Sequence, residues 1–84
     1  MKLNAETLRK IRIAYKLTQY EMAALCGCTA GMINKVERNK YPLTEKIRRA
    51  IDREFQLTPD KLAILLAEYD RIMERKTNAK QRGA

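Results

Sequence analysis

The chain has 84 residues, 18 Lys and Arg against 10 Asp and Glu for a net charge of +8, and no histidine. That length supports one hydrophobic core, burying roughly 60% of the unfolded chain's surface, and leaves no room for a second domain. A hydrophobic content of 45% with three Gly and two Pro excludes collagen-like, Gly/Pro-rich or fully disordered chains, and the missing histidine removes the usual general base and the commonest metal ligand.

No apolar run approaches the roughly 18 residues of a membrane span, and the N-terminus lacks the apolar stretch and small-residue cleavage site of a signal peptide. The expectation is a cytoplasmic protein that binds no membrane. Cys26 and Cys28 stand one residue apart with no other Cys or His in the sequence, which provides neither a zinc site nor a disulfide framework. They read as packing residues, and no cofactor, metal or small-molecule substrate is indicated.

In chain order, Asn4 is placed as the N-cap of a first helix over about Ala5–Tyr15, with Leu3 and Leu8 spaced as a hydrophobic staple. Thr18-Gln19-Tyr20-Glu21 has the capping-box pattern, with Leu17 and Met22 as its staple, and predicts a second helix over Gln19–Cys26. Gly27 can end that helix in the left-handed conformation, and Thr29 caps a third helix over Ala30–Glu37.

After the loop Arg38-Asn39-Lys40-Tyr41-Pro42, Thr44 caps a fourth helix with an apolar stripe at Ile47, Ala50, Ile51 and Phe55. Thr58-Pro59-Asp60 starts a fifth, with Pro at the first helical position and an acid near the positive helix end. Its range is about 59–76, completing a domain over 1–76. Residues 77–84, cationic and without periodicity, are expected to form a flexible basic tail.

Five short helices without period-two alternation predict a compact all-α fold. A three- to four-residue turn containing Gly, here Gly27 between helices 2 and 3, is the sequence sign of a helix-turn-helix, whose second member can enter the DNA major groove. On helix 3, Ile33 and Val36 face the core with Met32 on the flank, leaving Ala30, Gly31, Asn34 and Lys35 on the opposite face as candidates for base edges. Asn pairs with adenine, Lys donates to guanine and Ala meets a thymine methyl. The densest cationic run, Lys35, Arg38, Lys40, Lys46, Arg48, Arg49 and Arg53, begins on that helix.

Leu17-Thr18-Gln19-Tyr20-Glu21-Met22-Ala23, then Gly27-Cys28-Thr29, then Ile33, Val36 and Glu37-Arg38, resemble the motif of the lambda-repressor-like, Cro/CI-type (XRE-like) helix-turn-helix family. The resemblance covers about Leu8 to Leu66. It implies a five-helix domain that binds operator DNA, usually as a dimer, to regulate transcription. It further implies that Gln19 contacts a phosphate and braces the recognition helix, that Arg38, Asn39 and Lys40 form a backbone-contacting loop, and that Arg12 and Glu37 form a partly buried salt bridge; Thr29, read from its position, is primarily a cap that is also expected to meet the DNA backbone. Two positions depart from the pattern: Gly31 stands where the family usually has a polar base-reading side chain, and Asn39 where it commonly has Gly.

In the fifth helix Leu62, Leu65, Leu66, Tyr69, Ile72 and Met73 form an apolar stripe. Its second half, Tyr69, Ile72 and Met73, is expected to pass beyond the core and form a homodimer interface; packing against helix 1 of the same chain is the alternative. The reading is therefore a small repressor of the phage or mobile-element type, nucleoid-associated when bound as a homodimer to a palindromic operator in double-stranded DNA. The competing reading is a protein-interaction module that regulates another factor through helix 5. No enzymatic constellation is present.

Overall fold

In the computed structural model, which describes residues 3–82 and the side chains of residues 3–77, the start of every helix is a side-chain cap three residues from the amide it satisfies. Asn4 Oδ1 accepts from Thr7 N–H at 2.8 Å and opens α1 (Ala5–Ala14). The Thr18 hydroxyl accepts from Glu21 N–H at 3.1 Å while Glu21 Oε1 accepts from Thr18 N–H at 2.8 Å, a closed capping box on α2 (Gln19–Cys26). Thr29, Thr44 and Thr58 cap α3 (Ala30–Glu37), α4 (Glu45–Phe55) and α5 (Pro59–Arg82) in the same way. Each cap satisfies an amide that the helix itself leaves without a partner.

Four helices end on a left-handed residue, and only one of these is glycine: Lys16 (φ 58), Gly27 (φ 67), Asn39 (φ 59) and Gln56 (φ 48). The following amides turn back onto the helix, Leu17 N–H to Arg12 O at 3.0 Å, Cys28 N–H to Ala23 O at 3.0 Å and Lys40 N–H to Lys35 O at 2.8 Å. These are the long backbone bonds of Schellman-type C-caps. They turn the chain away from the helix axis at its last residues, so successive helices pack on one another.

The core is made by the inward stripe of each helix. Leu8 and Ile11 of α1, Met22, Ala23 and Cys26 of α2, Ile33 and Val36 of α3, Ile47, Ala50, Ile51 and Phe55 of α4, and Leu65 of α5 are buried together with Leu3. Tyr15 stacks on Phe55 with ring centroids 4.6 Å apart, joining the ends of α1 and α4. The most deeply buried charged side chain in an ion pair is that of Glu37, 3% exposed, and none of the buried polar side-chain atoms lacks a partner among the described residues.

The structure differs from the expected α5 in its end and in the exposure of its second half. The helix does not end near Lys76; it runs on to Arg82. Thr77, the expected break, donates its hydroxyl to Met73 O at 3.0 Å within the helix, and no Gly or Pro follows before Gly83. Gly83 and Ala84 lie outside the described residues. Nor do Tyr69, Ile72 and Met73 stand clear of the body: all three are half-buried. Arg9 Nη1 donates to the Tyr69 hydroxyl at 3.1 Å, Lys10 Nζ lies 5.3 Å from the Tyr69 ring centre, and Ile72 shares a groove with Ile13 of α1 and Leu17 of the turn that follows it. The stripe continues along α1 because α1 and α5 pack side by side. The large apolar side chain most exposed on α5 is Ile64, at 67%.

Candidate nucleic-acid interface

The α2–α3 pair has the geometry of a helix-turn-helix. Gly27, in the left-handed region, lets α2 stop and α3 begin three residues later at Ala30. Lys46 of α4 donates to Gly27 O at 3.1 Å, placing a cation at the negative end of α2 and tying the turn to α4. Lys46 is a positioning residue missed by sequence reasoning, since its bond crosses 19 positions and leaves no local pattern.

A chain of polar side chains joins α1, α2 and α3. Arg12 Nε and Nη2 donate to Glu37 Oε2 and Oε1 at 2.7 and 3.0 Å, and Arg12 Nη1 donates to Leu17 O at 2.9 Å. Gln19 Nε2 donates to Glu37 Oε1 at 3.3 Å, and Asn34 Nδ2 to Gln19 Oε1 at 3.4 Å. The Arg12 and Glu37 side chains are 14% and 3% exposed. A two-pronged guanidinium–carboxylate pair at that burial is geometrically demanding, so it sets how α3 sits against α1 and α2.

This network divides the base-facing candidates. Gly31 and Lys35 are exposed, with open space where a Gly31 Cβ would stand: the nearest atom is Thr29 Oγ1 at 3.9 Å. Ala30 is half-buried, and Asn34 is half-buried with its amide held by Gln19. The expectation of four outward side chains thus contracts to Gly31 and Lys35, with Asn34 at the edge, because Asn34 lies one turn before Glu37 and reaches the same α2 partner. Gln19 is occupied as the brace between Asn34 and Glu37. Thr29 caps α3.

Arg38, Asn39 and Lys40 follow α3 on the surface, all exposed. The left-handed Asn39 turns the chain so that Lys40 N–H returns to Lys35 O. Arg48 and Arg49 both approach Glu45, at 3.5 and 3.4 Å, on the solvated face of α4. The free cations nearest the recognition helix are therefore those of its own last turn and the loop.

Both thiols are held toward the protonated form. Burial pushes Cys26 up to about 11, and the neighbouring Cys28 thiol adds to that shift; burial also raises Cys28, opposed by Lys46. No group of three or more metal-ligating side chains occurs among the described residues, and no helix there is long and apolar enough to cross a membrane.

A family model described as helix-turn-helix, of the XRE/Cro-CI type, matches residues 8–62, which run from within α1 to the first turn of α5. Comparison with curated proteins and with solved structures found no match. The match includes the capping box, the Gly27 turn and the Arg12–Glu37 network. The chain belongs to the Cro/CI-type helix-turn-helix family of DNA-binding transcription regulators.

Proposed function

We propose that the protein is a sequence-specific repressor that binds a palindromic operator as a homodimer. The observation that carries this reading is the Arg12–Glu37–Gln19–Asn34 network, which holds α3 while leaving Gly31 and Lys35 open to a major groove. A recognition helix reads bases through its N-terminal half while flanking groups hold phosphates. Lys35 supplies direct readout, and Gly31 admits close approach of the duplex. Arg38, Asn39 and Lys40 hold the backbone, as do Thr29 and the α2 N-terminus beside Gln19. With one strong base-reading side chain, DNA shape supplies the remaining discrimination.

Dimerisation is assigned to α5. Tyr69 and Ile72 are engaged with α1, so the contact is the outward face carrying Ala63, Ile64 and Ala67, all exposed, rather than the stripe through Tyr69, Ile72 and Met73. A two-fold pair of domains sets recognition helices about 34–36 Å apart, one DNA turn.

Titration against the upstream region of its own gene and against scrambled duplex, over a salt series, tests the reading. An operator binder has a specificity ratio above about a thousand; a ratio near one with a steep salt slope rejects it. Sedimentation of Ile64→Glu and Tyr69→Asp locates the dimer contact: loss of dimer in Ile64→Glu alone supports the outward face, and loss in Tyr69→Asp alone returns the contact to the α1-facing stripe.

A further inference from the structure

Two of the four tyrosines have no part in holding the fold together. Tyr15 stacks on Phe55 and the Tyr69 hydroxyl accepts from Arg9, so both belong to the packing of α1 against α4 and α5. Tyr20 and Tyr41 are instead 80% and 43% exposed. Neither hydroxyl is hydrogen-bonded among the described residues. A lone exposed aromatic is ordinary on a protein surface; the position of these two relative to α3 is what distinguishes them.

Tyr20 directly follows Gln19, whose Oε1 accepts from Asn34 Nδ2 at 3.4 Å and whose Nε2 donates to Glu37 Oε1 at 3.3 Å. Tyr41 directly follows Lys40, whose N–H returns to Lys35 O at 2.8 Å. Each tyrosine is therefore one residue beyond a group bonded to α3, Tyr20 on the α2 flank and Tyr41 on the loop flank. The two attachment points, Asn34 and Lys35, are consecutive in the middle of the recognition helix. A helix lying in a major groove has a phosphodiester strand along each of its sides.

We propose that Tyr20 and Tyr41 grip the DNA backbone, one on each strand bordering the groove, with the ring against a deoxyribose and the hydroxyl donating to a phosphate oxygen. The assignment rests on the DNA-binding reading of α2 and α3 and adds a second kind of contact to it. Tyrosine has an apolar ring and a polar tip, and its hydroxyl is among the side-chain groups that donate to phosphate. Being neutral, it displaces no counterion, so its contribution persists at salt concentrations where that of Arg38 and Lys40 falls. Backbone contacts fix register and orientation, and a pair on opposite strands fixes both across the groove.

The test uses the full chain with isotope-labelled tyrosine rings, titrated with a duplex from the upstream region of its own gene and with a scrambled duplex. The ring signals of Tyr20 and Tyr41 should move with both duplexes while those of Tyr15 and Tyr69 stay. Tyr20→Phe and Tyr41→Phe should each weaken both duplexes about threefold to tenfold, with the unfolding midpoint and the slope of log affinity against log salt unchanged. The double variant Tyr20→Ala/Tyr41→Ala, which also removes the rings, should weaken binding further. Failure of the wild type to bind either duplex at low salt rejects the DNA-binding reading and this proposal together. Wild-type binding with unmoved Tyr20 and Tyr41 signals, or full affinity in both Phe variants, rejects the proposal alone. A loss confined to the upstream duplex, which marks a base contact, a loss in only one Phe variant, or a shallower salt slope in either also overturns it.

Discussion

Arg12 of α1 clasps Glu37 at the end of α3 through two N–H···O bonds of 2.7 and 3.0 Å, with the carboxylate 97% shielded from solvent. Replacing such a pair by apolar residues is often neutral, whereas removing one partner strands a buried charge. Glu37→Ala should therefore destabilise the domain by about 3–5 kcal/mol, measured by urea unfolding, and reduce DNA binding along with it. An unchanged midpoint would show that Arg12 finds solvent when released.

Gly31 tests whether the recognition helix needs a bare surface. A Cβ there meets nothing closer than 3.9 Å, so Gly31→Ala should stabilise the free protein by about 1 kcal/mol through helix propensity. On DNA the same methyl intrudes on the closest approach, and affinity should fall as stability rises. Opposite signs in thermal unfolding and in a binding titration are the expected outcome; equal or improved affinity removes the close-approach role.

Lys35 and Lys40 should separate readout from anchoring. Lys35→Ala is expected to narrow the ratio of operator to scrambled-DNA affinity, while Lys40→Ala weakens both alike and lowers the slope of log affinity against log salt by about 0.9. Equal effects of the two variants on both duplexes would place Lys35 on phosphate.

Asn39, at φ 59, closes the C-terminus of α3. Asn39→Gly should preserve or slightly raise stability, whereas Asn39→Ala should cost roughly 1–2 kcal/mol, since Ala lacks the local hydrogen-bonding that lets Asn tolerate the left-handed region. The two midpoints in one denaturant series decide this.

Cys26 makes stability pH-dependent in the alkaline range. The unfolded thiol ionises near 9.0 and the folded one at about 11; the folded state therefore holds the proton more tightly. Its contribution is complete below pH 9 and is lost as pH rises from 9 to 11, to a limit of about 2–3 kcal/mol. Unfolding free energy measured across that range should fall less steeply in Cys26→Ala than in the wild type.

Much of this protein is local chemistry and hence readable from the chain. Asn4, Thr18, Thr29, Thr44 and Thr58 each act on an amide three residues away, so α1, α2 and α3 fall at or within a residue of their expected bounds and α4 and α5 start at their expected caps. The same holds for Gly27, which has no Cβ to clash, and for Asn39, whose side chain tolerates the left-handed region. Lys16 and Gln56 adopt that geometry as well, but neither residue type advertises it. They are held there by the reversal of the chain into the next helix.

What tertiary structure decided is which partner each long-range side chain takes. In sequence, Tyr69 and Ile72 are apolar residues on a helical stripe, and that stripe fits a second subunit or α1 equally well; the side-by-side packing of α1 and α5 puts Arg9 against the Tyr69 hydroxyl and Ile72 beside Ile13. Asn34 is a free base-reading amide until α2 brings Gln19 within 3.4 Å, and Lys46 is one more surface cation until α4 carries it to Gly27 O. Caps and turns depend on neighbours the chain supplies within a few residues. The fate of Tyr69, Asn34 and Lys46 depends on groups 60, 15 and 19 positions away, whose meeting is an outcome of packing the core.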